Sequence, residues 1–177
     1  MNTFETLFSR KSIRQFTGET ISDSELQQIL LAANAAPVGM KRYEDVHLTV
    51  IQNQETLDKI EESAATLFNN PDMHPLYGAP TLILVSHKFS ESTSPNVAYS
   101  DAAIIVHNMI LAATELEIGA VYIWGAIAAL IENEALVATL GLPEGFSPCC
   151  AVALGKTDEK YTLRDIPTDK IAINYIK

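Results

Sequence analysis

The sequence predicts a single domain of mixed helices and strands, and three observations carry that reading. The chain has 177 residues, 47% apolar and 19% charged, which is the length of one domain with a substantial core. Short runs rich in branched residues, at 46–51, 81–86, 120–123 and 149–154, read as strands with helical patterns between them. Residues 96–117 read as a long helix with almost no polar face. No repeat, low-complexity tract or linker divides the chain, so residues 1–177 are expected to form one unit.

Thr3 is placed to cap a short helix with Phe4, Leu7 and Phe8 on one face. Ser22-Asp23-Ser24-Glu25 reads as a capping box, with a hydroxyl at the cap and a carboxylate three residues on. The helix behind it buries Leu26, Ile29, Leu30 and Ala33 and stops before Pro37. Residues 37–43 form a loop, and 55–68 an amphipathic helix with Leu57, Ile60, Ala64 and Leu67 inward. Residues 69–80 hold three prolines and a glycine, a long loop of the kind that binds or covers ligands. The apolar run 81–86 reads as a central strand, followed by a polar connection over 88–95.

Gly119 is expected to cap the long helix, and Trp124-Gly125 to turn the strand 120–123. A helix around 134–140 should end at Gly141. In the tail, the alternation of Ile171, Ile173 and Tyr175 predicts an edge strand or an arm laid on a partner. A helix that is apolar all round is buried all round, and one core of this size can hardly surround 96–117. A partner chain covering one side is the economical solution, with a two-fold homodimer the commonest form. The competing reading is the central core helix of a monomer.

Twelve Lys and Arg stand against 22 Asp and Glu, a net charge of -10. That argues against nucleic acid and against anionic membrane surfaces as partners. The N-terminus has neither an apolar run nor a small-residue cleavage site, and 102–113 is too short an apolar stretch to span a bilayer. A cytoplasmic location is expected. Cys149 and Cys150 are adjacent in an apolar run, which favours buried free thiols over a structural disulfide or redox pair.

Against this acidic background Arg10, Lys11 and Arg14 fall within five residues, with Ser12 between them and no acid. Two guanidinium forks, an ammonium and a hydroxyl suit a phosphate; the same cluster also suits a solvated helix end. No glycine-rich dinucleotide fingerprint, ATPase-type phosphate loop or Gly-x-Ser-x-Gly elbow is present. His47, His74, His87 and His107 stand apart from one another and from the cysteines, without metal-ligand spacing. Asp101 and Glu115 read as helix-terminal charges. An anion site and an apolar interface without a side-chain catalyst fit a cofactor that supplies the reaction.

Four segments, in order, resemble the FMN-dependent nitroreductase family in its short form. Arg10-Lys11-Ser12-Ile13-Arg14-Gln15-Phe16 resembles its N-terminal Arg-x-Ser-x-Arg/Lys-x-Phe/Tyr motif, and Ala36-Pro37-Val38-Gly39 its Ala-Pro-Ser loop. Asp101 to Leu116 and Gly119 to Gly125 resemble its central helix and the Trp-Ile-Gly-like turn, and Ala153-Leu154-Gly155-Lys156 its last strand and turn. Val38 replaces the Ser, and Lys41, Tyr43 and Glu44 stand where the family often has Asn and Gln-Pro.

The resemblance implies an α+β fold, a mostly antiparallel sheet flanked by helices. It implies a homodimer that swaps C-terminal arms and holds FMN at the interface. It places Arg10 and Ser12 on the FMN phosphate with Lys11 close by, and Arg14 at the ring edge or ribityl chain. Pro37, Val38, Gly39 and Met40 of the other subunit would line the ring, and the backbone near Trp124 and Gly125 would approach it. Lys156, or else Lys160 or Arg164, would complete the phosphate site. The implied activity passes hydride from NAD(P)H through FMN to a quinone or nitroaromatic by a ping-pong mechanism. The alternatives are a flavin carrier or sensor without useful turnover, or another flavin reaction such as dehalogenation or flavin fragmentation.

Overall fold

The computed structural model describes residues 1–89 and 94–177; the expected connection over 88–95 therefore lies partly outside the described residues. Helix α1 (Thr3–Ser9) is capped by Asn2, whose side chain accepts from Glu5 N while the Glu5 carboxylate accepts from Asn2 N. Thr3, the expected cap, is instead the first helical residue, because the cap side chain must reach the third helical N–H. Phe4 and Phe8 point outward, and Thr6 and Ser9 face the protein. Helix α2 (Asp23–Asn34) begins at the expected Ser22–Glu25 capping box and buries Ile29 and Ala33.

Two single 3-10 turns, Gly39–Lys41 and Tyr43–Asp45, lead into β1 (Val46–Ile51). Helix α3 (Gln54–Leu67) buries Leu57, Ile60 and Ala64, as its spacing predicts, but leaves the expected Leu67 exposed at the last turn; β2 (Thr81–Lys88) follows the proline-rich loop. Then come α4 (Pro95–Glu115), β3 (Gly119–Ile123), α5 (Gly125–Ile131), α6 (Glu134–Ala138) and β4 (Phe146–Gly155). The strands form one antiparallel sheet in the order β1-β2-β4-β3. This is the α+β arrangement expected.

Side chains alternate across a sheet, so each central strand serves two cores. Ile83 and Val85 of β2, with Val152 and Leu154 of β4, pack under α2 and α4. Leu82 and Leu84, with Ala151 and Ala153, pack under α3 and α5. The β2–β4 register shifts between Val85 and Ser86, opposite Pro148, which has no N–H to give the ladder. That irregularity lets adjacent Cys149 and Cys150 join the same core. Both are free and buried, and burial pushes their thiols up to about 12 and about 11, which makes them poor nucleophiles.

Three expectations are corrected. Gly119 does not cap α4: Glu117 takes the left-handed position with φ 57, Ile118 N donates to Ala113 O and Glu117 N to Thr114 O. Gly119 instead opens β3. Trp124-Gly125 is not a plain turn but the start of α5, whose Gly-Ala-Ile-Ala-Ala-Leu-Ile sequence has no polar face to mark its period. Of the two forms expected for the tail, the edge strand is not formed: residues 162–177 lack strand structure and lie exposed, which leaves the arm.

Helix α4 is long and apolar enough to cross a bilayer by length and composition, which the 102–113 run is not. Half of that stretch is buried within the chain, against α2 and the sheet. Burial is not all-round, however. Ser100, Ile104, His107 and Glu115 form an open stripe, with Ile104 40% exposed.

Candidate functional site

The basic segment leaves α1 at Arg10 and runs without regular structure along the end of β3 and β4. Ile13 N donates to Ala120 O at 3.0 Å and Thr17 N to Lys156 O at 2.9 Å; Lys156 N in turn donates to Glu19 O at 3.1 Å. Ile13 is fully buried, while Arg14 is exposed and Arg10, Lys11 and Ser12 lie between these extremes. Two glycines make this approach possible. A Cβ on Gly119 would meet Phe16 at 3.0 Å and Ile13 at 3.1 Å; one on Gly155 would meet Pro80 at 2.7 Å and Phe16 at 3.1 Å. Gly119 and Gly155 are paired across β3 and β4, so they form a bare patch on which Phe16 seats.

The four expected cations divide into two kinds. Lys11 Nζ lies 2.6 Å from Glu159 Oε2, and Lys156 Nζ 2.6 Å from Glu25 Oε1. The Lys156 ammonium, then the Ser22 backbone N–H, holds the Glu25 carboxyl below its usual range. Arg10 and Arg14, among the described residues, have no carboxylate within ion-pair distance, and the Ser12 hydroxyl has no intramolecular partner. Arg14 is set over the Tyr77 ring, 5.7 Å from its centroid. Arg10 is felt by His107 on the open stripe of α4: partial desolvation, then the guanidinium, holds that imidazole below its ordinary value. Among the described residues, two guanidiniums without a carboxylate and a hydroxyl without a partner thus share one short segment of an acidic chain, a donor set that suits an anion. Metal-ligating clusters are absent among the described residues.

The remaining expected residues lie on other elements. Val38 is buried, Pro37 and Met40 are exposed, and Gly39 N donates to Asp101 Oδ1 at 3.0 Å. Trp124 is exposed at the start of α5, where Gly125 and its neighbours carry helix-terminal N–H groups without intrahelical acceptors. Lys160 is exposed, and Arg164 Nε donates to Phe8 O at 2.9 Å. A wide groove of about 850 Å³ lies between α3 and α5–α6, but Glu62, Glu132 and Glu134 line it and it shares no residue with the basic segment. In the single chain Arg10, Lys11, Ser12 and Arg14 all reach the surface.

Sequence reasoning missed Tyr77 and misplaced Asp101. Tyr77, with φ 58, has no local signal beyond a loop position before Gly78. Asp101 did carry one: it is an acid within an otherwise apolar stretch, and it is buried inside α4 rather than at its end. Glu115 is at the end of α4, bonded to Thr6 and the N-terminal ammonium.

Comparison with known proteins bears on the family and the fold. The description "Nitroreductase family" matches residues 7–156. A nitroreductase from Desulfitobacterium hafniense, solved with bound FMN, is 29% identical, with a TM-score of 0.84 and all of both chains covered. One from Bacteroides fragilis, also with bound FMN, is 28% identical at a TM-score of 0.82, covering 99% of this chain and 100% of that one. An NADPH-flavin oxidoreductase from Vibrio harveyi is 26% identical over 169 residues, 89% of this chain and 67% of the relative. On the family match, the ordered motifs and the shared fold, the chain belongs to the nitroreductase family.

Proposed function

We propose that this protein binds FMN and is an NAD(P)H-dependent flavin oxidoreductase that reduces an electron-poor acceptor, a quinone or a nitroaromatic. The carrying observation is the pair of guanidiniums without carboxylates, Arg10 and Arg14, flanking the unpaired hydroxyl of Ser12. This donor set fits the group: a phosphate dianion takes charge-assisted bonds from Arg10 and Ser12, and Arg14 remains for the ring edge. FMN, when bound, supplies the two-electron chemistry that no side chain here provides.

The chain's part is grip, orientation and exclusion of water. Tyr77 supports Arg14 from beneath and so limits where its fork can turn. Trp124 and the open N–H groups at the start of α5 offer backbone donors and an exposed aromatic face. Pro37, Val38, Gly39 and Met40 would cover the ring held by the other subunit. Lys156 and Lys11 are left outside the phosphate grip, because Glu25 and Glu159 already hold them. Donor and acceptor would use the same place in turn, which gives ping-pong kinetics.

A homodimer is part of this reading. The open Ile104 stripe of α4, exposed Phe4 and Phe8 on α1, and Ile171, Ile173 and Tyr175 in the tail are apolar surface of the kind a second copy would cover. The site's openness in one chain agrees with that. The test is steady-state NADH and NADPH oxidation by the yellow, FMN-loaded protein with and without a quinone. Acceptor-dependent turnover with parallel double-reciprocal lines is expected; bound flavin without turnover would leave a carrier.

A further inference from the structure

The carboxylate of Asp101 is buried inside α4, 5% exposed. Oδ1 accepts from Gly39 N at 3.0 Å; Oδ2 lies 3.6 Å from Nε2 of His87, itself 2% exposed. His87 Nδ1 is 3.0 Å from the Lys88 carbonyl and so donates to it. A buried acid is costly, and an apolar side chain would fill a helix–sheet interface without that cost. What the acid secures is a loop. Gly39 sits so near α4 that a Cβ there would meet Val97 Cγ1 at 2.8 Å and Asp101 Oδ2 at 3.4 Å. Directly beyond the tether, Met40 and Lys41 have φ 53 and 58, a left-handed conformation that residues with side chains rarely adopt. Both side chains are exposed, while Arg42 turns back to Asp45 at 2.8 Å. Strain spent on two outward side chains is spent on display rather than packing.

We infer that Asp101 is a positioning residue: it clamps the loop at Gly39 so that Met40 and Lys41 are presented at the mouth of the flavin site. This rests on the FMN reading above. Lys41 then supplies the loop's outward positive charge and favours an anionic group on the incoming donor or acceptor.

The experiment measures two things in the full-length protein: backbone hydrogen exchange over residues 38–42, with and without FMN, and FMN affinity by fluorescence titration. The variants are Asp101→Asn, Asp101→Ala, Gly39→Ala and Gly39→Ala with Val97→Ala. Asp101→Ala should speed exchange and weaken FMN binding, each by roughly tenfold or more, as expected for losing a bond to a charged acceptor. Asp101→Asn keeps an acceptor for Gly39 N and should hold both within about threefold. Gly39→Ala should mimic Asp101→Ala, and Val97→Ala should rescue it by removing the clash. If Asp101→Ala does not fold, the Gly39 pair carries the test alone. Unchanged exchange in both single alanine variants overturns the clamp. Faster exchange with unchanged FMN affinity overturns its role at the site. Arg10→Gln in the same titration separates the two levels: if it too leaves affinity unchanged, the phosphate reading has failed, not the clamp.

Discussion

Arg10→Gln tests the phosphate assignment most directly, with Lys156→Gln as its internal comparison. The two cations differ in one respect that the structure shows. Lys156 is bonded to Glu25 at 2.6 Å, whereas Arg10 has no carboxylate partner among the described residues. A hydrogen bond to a charged group is worth about 1.5–3 kcal/mol. Loss of Arg10 should therefore weaken FMN binding roughly ten- to a hundredfold. Lys156→Gln removes a charge already matched within the chain, and screening in ordinary salt should keep its effect below about threefold. The assay is titration of flavin-free protein by quenching of FMN fluorescence at fixed ionic strength. His107 supplies an independent reading, because desolvation and then the Arg10 guanidinium hold its imidazole low. Arg10→Gln removes the repulsion, so the imidazole pKa should rise; FMN bound at Arg10 should move it the same way. Proton NMR of the ring follows both. Equal weakening by the two substitutions, or a His107 titration indifferent to FMN, refutes the assignment.

Four other outcomes are expected. Arg14→Gln should lower the two-electron potential of the bound flavin by about 30–60 mV, since a guanidinium at the ring edge favours the reduced form; a weaker affinity at unchanged potential would make Arg14 a second phosphate ligand. Ile104→Asp, on the open stripe of α4, should yield a dissociating dimer in sedimentation, whereas Ile105→Asp and Ile110→Asp, 3% and 5% exposed, should unfold the chain; a one-chain mass for the parent protein at micromolar concentration sinks the dimer. Gly155→Ala must move Pro80 or Phe16, and a lower Tm with loss of FMN, from overpacking of about 1–3 kcal/mol, is the expected result. Glu25 is depressed by Lys156, so its contribution to stability is present above its unfolded value near 4.5 and is lost as pH falls through the lower folded value. Urea midpoints across that window should show a shallower acid loss in Lys156→Met than in the parent; identical profiles would contradict the pairing.

Much of the architecture was legible from periodicity. The α3 spacing, the apolar runs of β2 and β4 and the Ser22 capping box are local features, and local features survive folding when nothing distant competes with them. The candidate cluster was also visible, because three cations and a hydroxyl in five residues of an acidic chain conflict with their surroundings unless solvent or something anionic answers them. Which of the cations stay available was not visible. That depends on Glu159 and Glu25, 148 and 131 residues away in sequence, which only the tertiary structure brings to Lys11 and Lys156.

The same division holds elsewhere. Gly119 looked like a helix cap, since glycine relieves the left-handed position at no steric cost. The fold instead accepts Glu117 there and uses Gly119 for space, because Phe16 and Ile13 need a bare strand end on which to seat the basic segment. Asp101 reads from sequence as a helix-terminal charge, but how α4 crosses the sheet buries it mid-helix beside a loop N–H and a histidine on β2. Sequence alone therefore determined most of the elements, the apolar sheet strands and the position of the basic cluster, all matters of local pattern. Tertiary structure decided which charges are spent inside the chain and which remain for a ligand, because pairing depends on distance in space rather than along the chain.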